Sequence, residues 1–310
     1  MNAPLPRIVR RAVHGVLLLD KPVGMTSNQA LQRAKRLYRA EKAGHTGTLD
    51  PLAGGLLPIC FGAATKFAQV SLDADKRYRA TLQLGECTAS GDRETPVIER
   101  RAVSVDLAAV EAACRRFTGA LDQLPPMHSA VKKGGRALYE YARAGVTVDR
   151  SPRRVTIHRI DIVALHQQTL VIDVACSKGT YIRALADDLG QMLGCGAHLA
   201  ALRRTAAGAL TGDQAVTPET LERASESERD ALLLAADSLV ADWPSIQLDA
   251  TEAGRFLSGL RRRVQTSDLP AVRVYGPEPG AFLGSAHITA GELIADRLLS
   301  PIEVQALIEA

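Results

Sequence analysis

The chain has 310 residues, of which 46% are hydrophobic and 23% charged, with a net charge of +4. That apolar fraction suits a folded core and excludes a disordered chain, and a chain this long needs no disulfide or metal staple. Aromatic residues are only 4%, so aliphatic side chains must fill the core, and a charge of +4 does not by itself argue for a nucleic-acid partner.

At the start, Arg7, Arg10 and Arg11 precede a short apolar run, Val16 to Leu19, which stops at Asp20-Lys21-Pro22. This is shorter than the ~7-residue core of a signal peptide, and no run approaches the ~18–20 residues of a membrane span. Gly15 to Asp20 predicts a buried strand. Thr26 or Ser27 then caps a helix with Leu31, Ala34, Leu37 and Tyr38 on one face. Gly44 to Gly55 predicts a Gly-rich loop and Leu56 to Gly62 a strand. Arg77 to Gly85 alternates: Tyr78, Ala80, Leu82 and Leu84 face one way, and Arg77, Arg79, Thr81 and Gln83 the other. Ala89 to Asp92 reads as a turn, with Val97-Ile98 starting the returning strand.

Asp106 opens a helix with Leu107, Val110, Ala113, Cys114 and Phe117 on its core face. Leu170 to Cys176 predicts another strand. Ile182, Leu185, Ala186, Leu189 and Leu193 mark an amphipathic helix. The pattern is α+β, with a mixed or antiparallel sheet and flanking helices. The five cysteines (Cys60, Cys87, Cys114, Cys176 and Cys195) contain no C-x-x-C. They predict small buried thiols in a reducing cytoplasm and no structural zinc.

The small net charge hides two opposed segments. His128 to Arg159 carries eight basic and two acidic residues, a net of +6. Asp213 to Asp242 carries eight acidic and two basic residues, a net of −6, with a helical pattern. A domain boundary is placed at Trp243-Pro244, dividing the chain into 1–242 and 245–310. The second part starts with a helix pattern running into Arg261-Arg262-Arg263 and continues with strand-like runs at Ala271–Tyr275 and Ala281–Ile288. It predicts a small β-rich module.

Four features could carry chemistry. The first is Gly44-His45-Thr46-Gly47-Thr48-Leu49-Asp50-Pro51-Leu52-Ala53-Gly54-Gly55. A carboxylate in a rigid loop can act as a nucleophile without a base to deprotonate it, but Asp before Pro more often caps a turn. From the residues alone the turn is favoured. The second is Ser177-Lys178-Gly179-Thr180-Tyr181-Ile182-Arg183, which puts a phenol and a guanidinium at a helix start. A solvated helix start is an equal alternative. The third is the basic segment, where Tyr139 and Tyr141 lie among the cations. Cations with rings are a footprint of RNA binding, and a solvated charged helix is the ordinary alternative. The fourth, Tyr78, has core packing as its commoner fate. His14, His128, His158, His166, His198 and His287 form no ligand spacing, so no metal site is expected.

Taken together, Gly15-Val16-Leu17-Leu18-Leu19-Asp20-Lys21-Pro22, Gly44 to Pro51, Lys76-Arg77-Tyr78, Ser177 to Arg183 and Leu202-Arg203-Arg204-Thr205 resemble the bacterial TruB family of tRNA pseudouridine synthases. The resemblance covers about residues 12 to 240, with a weaker likeness to a PUA-type RNA-binding module beyond. It implies isomerisation of uridine-55 in the tRNA T-arm and overturns the turn reading of Asp50. It implies Asp50 as nucleophile, Tyr78 stacking on the target base and Tyr181 as acid/base group at the flipped nucleotide. It also implies that Arg183 pairs with the catalytic carboxylate, His45 packs against the T-loop and Leu202 lines the base pocket. The stretch from Leu124 to about Arg154 matches a tRNA-gripping insertion, with Lys132, Lys133, Arg136, Arg143, Arg153 and Arg154 as its RNA contacts.

The family likeness further implies no cofactor, a cytoplasmic monomer and tRNA as partner. Gly54 stands where many members carry Thr. The turn Ala89–Glu94 lacks a second acidic residue common there, a departure expected to touch loop details and not the chemistry. An adjacent Arg183 is expected to keep the Asp50 pKa low. An RNA-folding protein without catalysis is the alternative in a different class. A glycoside hydrolase lacks an evident second acid.

Overall fold

In a computed structural model describing residues 9–129 and 131–309, nine strands form one mixed sheet. Arg7 lies outside the described residues. The order across the sheet is Gly15–Lys21, Ala53–Phe61, Ala197–Ala207, Lys76–Leu84, Thr169–Cys176, Arg153–His166 and Gly119–Gln123. Two short strands, Ala43–His45 and Leu210–Thr211, pair alongside. Neighbours are antiparallel except Ala53–Phe61 with Ala197–Ala207, which run parallel. The sheet is therefore mixed, one of the two forms the strand and helix pattern allowed.

Alternation explains the middle of the sheet. Ala80, Leu82 and Leu84 are buried, while Arg77 and Arg79 are exposed. Leu82 and Leu84 join Leu170, Ile172 and Val174 in one core cluster. The helices Leu107–Phe117 and Ile182–Met192 contribute Val110, Ala113, Leu185, Ala186 and Leu189 to it. Asp106 caps the first of these helices through Ala109 N–H at 2.8 Å. The edge strand Gly15–Lys21 is buried on both faces: Val16 and Leu18 enter one cluster, Leu17 and Leu19 another. The helix Ser27–Leu37 covers the latter with Ala30, Leu31 and Ala34, capped by Thr26 and Gln29.

Two expectations need correction. The strand expected at Leu56 starts at Ala53, so Gly54 and Gly55 lie in the sheet. Gly55 is needed there. Its φ is +96°, and a Cβ would sit 2.3 Å from the Arg204 carbonyl oxygen of the parallel partner strand. Gly44 and His45 also belong to a strand, Ala43–His45. The acidic segment, helical in pattern, is helical in part. It forms the short helices Pro218–Arg223 and Glu226–Asp230, with 3₁₀ turns at Gly212–Gln214 and Ala236–Val240.

Among the described residues no ion pair joins the acidic segment to the basic one. Asp230 pairs with Arg11 at 2.5 Å, Glu219 and Glu222 pair with Arg33 at 3.1 and 2.9 Å, and Glu226 pairs with Arg39. Half of its acids thus pair with cations of residues 11–39, while Lys132, Lys133, Arg136, Arg143, Arg153, Arg154 and Arg159 of the basic segment are exposed.

The C-terminal sheet has the order Ser245–Gln247, Leu269–Tyr275, Phe282–Thr289, Glu292–Leu298 and Arg262–Arg263. The helix Ala250–Leu257 follows its first strand in the chain, and Pro301–Ile308 follows its last. Its interior is continuous with the first sheet: Phe256, Val272 and Phe282 share a cluster with Val16, Leu56 and Phe67. The Phe67 and Phe282 ring centroids are 5.1 Å apart. Lys66 bonds Glu303 at 2.6 Å across the same junction. All five cysteines are buried and free. Among the described residues no helix is long and apolar enough to cross a membrane.

Candidate active site

The loop that carries Asp50 is held at three points. Ser27, at the first turn of its helix, receives Leu49 N–H at 2.7 Å and donates to the Leu49 carbonyl at 3.0 Å. Gly24 N–H donates to the Pro51 carbonyl at 2.7 Å. Arg204 is 1% exposed; its Nε donates to the Leu56 carbonyl at 2.8 Å and its Nη2 to the Gly47 carbonyl at 3.1 Å. These bonds fix both flanks of Asp50 to the sheet and to the helix start.

The helix start Tyr181–Arg183 meets this loop. Arg183 Nη2 lies 2.9 Å from Asp50 Oδ2, and the Arg183 side chain is 6% exposed against 41% for Asp50. The carboxylate thus presents one side to the guanidinium and the other to the cleft. Arg183 has two more partners. Nη1 donates to Asp92 Oδ2 at 3.1 Å and Nη2 to the His128 carbonyl at 2.7 Å. Asp92 is 1% exposed and also receives Ser90 Oγ–H at 2.5 Å and Glu94 N–H at 3.0 Å.

A cavity of about 250 Å³ opens beside Asp50. Tyr78, Tyr181, Arg183 and Leu202 line it with Asp50, Lys76 and Arg204. Five of the residues singled out from sequence therefore converge on one cavity. His45 does not line it. It sits on the strand Ala43–His45 opposite Ile59, half-buried, with Nδ1 buried and unbonded. Burial and the nearby Arg204 charge lower its pKa, which favours a neutral ring. Lys132, Lys133, Arg136, Arg143, Arg153 and Arg154 are all exposed and stand away from the cavity. Tyr139 and Tyr141 are partly occupied: Arg143 lies over the Tyr139 ring at 5.2 Å and Arg136 over Tyr141 at 4.8 Å.

The electrostatics correct one expectation. Burial pushes the Asp50 pKa above the ordinary carboxylate value; Arg183 opposes the rise, and Asp92 adds to it. A guanidinium shared with Asp92 cannot hold Asp50 as low as it would a single partner. Burial also lowers Lys21 to about 8, with Asp50 opposing. Its Nζ donates to the Pro22 and Met25 carbonyls at 3.0 and 2.6 Å. The Tyr78 phenol is pushed up by burial and stays neutral.

The sequence reading missed Asp92, Arg204 and Gln123. The turn holding Asp92 was expected to leave the chemistry untouched; instead it delivers the second carboxylate to Arg183. Its only sequence signal was an acid beside Gly91. Arg204 was noted within a motif and given no role. Gln123 brackets the backbone of Tyr181, accepting its N–H at 2.7 Å and donating to its carbonyl at 3.0 Å. No pattern of residue types marks it. Among the described residues, no three His, Cys, Asp or Glu side chains are placed to hold a metal ion.

Comparison with known proteins gives the family of the chain. The family model described as "TruB family pseudouridylate synthase (N terminal domain)" matches residues 35–182. "tRNA pseudouridylate synthase B C-terminal domain" matches 183–241, and "Pseudouridine synthase II TruB, C-terminal" matches 244–299. A protein of Burkholderia mallei named tRNA pseudouridine synthase B is 53% identical over 306 residues, covering 96% of this chain and 97% of its own. Its namesake in Cupriavidus pinatubonensis is 54% identical over 308 residues, covering 96% and 98%. Among solved structures, an H/ACA RNP bound to a substrate RNA containing 2′-deoxyuridine matches with a TM-score of 0.70 at 21% identity, covering 94% of this chain and 86% of that one. An archaeal box H/ACA sRNP Nop10-Cbf5 complex also matches with 0.70, at 23% identity, covering 94% and 88%. At such identities the structural likeness speaks for the fold alone.

Proposed function

We propose a specific reaction for this chain, which belongs to the TruB family of tRNA pseudouridine synthases: it isomerises uridine-55 in the T-arm of tRNA, with Asp50 as nucleophile. The observation that carries this reading is the Asp50–Arg183 pair at 2.9 Å on the wall of a cavity lined by Tyr78, Tyr181 and Leu202.

The chemistry breaks the N1–C1′ bond, turns the uracil and joins C5 to C1′. The C5 proton leaves and N1 gains one, so nothing is added overall and no cofactor is called for. The target base must leave its stack, at a cost of a few kcal/mol. Stacking on Tyr78 offsets roughly 1–3 kcal/mol of it. Asp50 attacks while ionised, with Arg183 orienting it. Tyr181 removes the final C5 proton. Leu202 packs against the base, and His45, outside the cavity, meets the T-loop.

The segment 124–154 grips the RNA through Lys132, Lys133, Arg136, Arg143, Arg153 and Arg154. Residues 1–242 form the catalytic part and 245–310 a PUA-like RNA-binding module. The protein acts as a cytoplasmic monomer. The test is direct. Purified protein is incubated with an unmodified tRNA transcript and pseudouridine is mapped by carbodiimide stops or mass spectrometry. Pseudouridine at position 55 supports the reading, and its formation only elsewhere or not at all overturns it.

A further inference from the structure

The root of the basic segment is tied to the active site by bonds that the reaction scheme leaves unused. Gln123 ends the strand Gly119–Gln123 and is 3% exposed. Its carboxamide closes on a single residue: Oε1 accepts Tyr181 N–H at 2.7 Å, and Nε2 donates to the Tyr181 carbonyl at 3.0 Å. Tyr181 is the residue before the helix Ile182–Met192, and its own side chain makes no cap bond. Gln123 therefore holds the backbone of that helix start from outside the helix, beside the side-chain bonds of Arg183. Only a side chain with a donor and an acceptor at this reach can make both bonds.

A second tie lies five residues on. The His128 carbonyl receives Arg183 Nη2 at 2.7 Å, the same nitrogen that reaches Asp50. Arg150 Nη1 donates to the Pro125 carbonyl at 2.9 Å, and Arg153 lies opposite Gln123 in the strand register. These contacts join the entry and exit of the cationic segment. The chain leading out to the cations is thus fastened to Tyr181 and to Arg183.

We propose that Gln123 is a positioning residue for the isomerisation. It fixes the Tyr181 backbone, and through it the phenol and the Arg183 guanidinium, so that RNA held by 124–154 is registered against Asp50. This rests on the reading of Asp50 as nucleophile. A group displaced by about 1 Å from productive geometry can lose about a hundredfold in rate.

Two variants test it. Gln123→Met keeps the volume and removes both bonds. Gln123→Glu keeps the shape; its neutral carboxylic acid, but not its carboxylate, offers both a donor and an acceptor. The charged or titratable groups nearby are Arg183, Arg153, the Asp122–Arg154 pair, Tyr181 and His128. They are shared with the parent protein, so each rate is divided by the parent rate at the same pH. Single-turnover rates are measured at saturating tRNA, alongside RNA affinity and thermal unfolding.

Gln123→Met is expected to bind RNA within about twofold of the parent and to lose roughly ten- to a hundredfold in rate. The Gln123→Glu ratio is expected to rise as pH falls, while the Gln123→Met ratio stays flat. Folded Gln123→Met with a near-parent rate, or with its whole loss in RNA affinity, overturns the proposal. If Gln123→Met does not fold, the Gln123→Glu profile decides, and a flat one overturns it. Asp50→Asn in the same assay separates the two claims. Turnover by Asp50→Asn sinks the nucleophile reading, whereas inactive Asp50→Asn with normal Gln123 variants sinks only the positioning role.

Discussion

Arg183 pairs with Asp92, a carboxylate that is 1% exposed, at 3.1 Å, while its other terminal nitrogen lies 2.9 Å from Asp50. One guanidinium is thus divided between a buried acid that anchors it and a cleft-facing acid that it presents. The anchoring fixes the guanidinium plane, and the division limits how strongly Asp50 is held as an anion.

That division sets the pH dependence. Burial and Asp92 raise the Asp50 pKa, and Arg183 only partly offsets them. The reaction needs the carboxylate, so activity falls as pH drops through a value above the ordinary ~3.9 of an aspartate. Single-turnover rates across pH should place the acidic limb there. A limb at or below the ordinary value contradicts the account.

Asp92→Asn should move this limb down, because a negative charge that raises the Asp50 pKa is removed. The variant should also be less stable. Removing one partner of a buried ion pair costs about 3–5 kcal/mol, and retention of Asp50 by Arg183 points to the lower end. Thermal unfolding and the pH–rate profile of the same preparation check both statements.

Arg183→Lys keeps the charge and loses the fork. A single ammonium cannot serve Asp50, Asp92 and the His128 carbonyl in their present directions. A lost charge-assisted hydrogen bond is worth about 1.5–3 kcal/mol, so a fall of roughly ten- to a hundredfold in rate is expected, with RNA affinity little changed. A loss confined to affinity would assign Arg183 to substrate binding instead.

RNA binding should weaken steeply with salt. Lys132→Ala and Arg153→Ala remove exposed cations and should each flatten the log–log salt slope by about 1. Arg136 and Arg154 start from ion pairs with Glu140 and Asp122, both at 3.3 Å, so their removal should matter less. Titrations at several salt concentrations rank the four, and a slope unchanged in all of them would remove this segment from the RNA interface.

Much of this was legible in the residues, for identifiable reasons. The strand Lys76–Leu84 alternates, and the helices after Asp106 and Tyr181 carry regular apolar faces, so period revealed them, with the Asp106 cap marking the first. Asp50, Tyr78, Tyr181, Arg183 and Leu202 stand in distinctive motifs, and the fold brings them to one cavity. The start of the Ala53–Phe61 strand was hidden because two glycines mimic a loop, yet they are there to let a parallel backbone approach. Asp92, Arg204 and Gln123 were hidden for another reason. Each acts on a partner between 58 and 157 residues away in the chain, and such pairings leave no local pattern. The two opposed charge segments likewise gave no local sign of their partners: the acids face Arg11, Arg33 and Arg39.

The most direct measurement is single-turnover formation of pseudouridine in a tRNA transcript by Asp50→Asn, with RNA affinity and unfolding followed in parallel. The raised Asp50 pKa means the fold favours the neutral form, so this side chain adds stability only at low pH and loses that contribution as pH rises through its folded value. A neutral amide should therefore leave the protein at least as stable at neutral pH. The account predicts a folded Asp50→Asn protein that binds tRNA as the parent does and forms no pseudouridine. Near-parent turnover by that variant would contradict it.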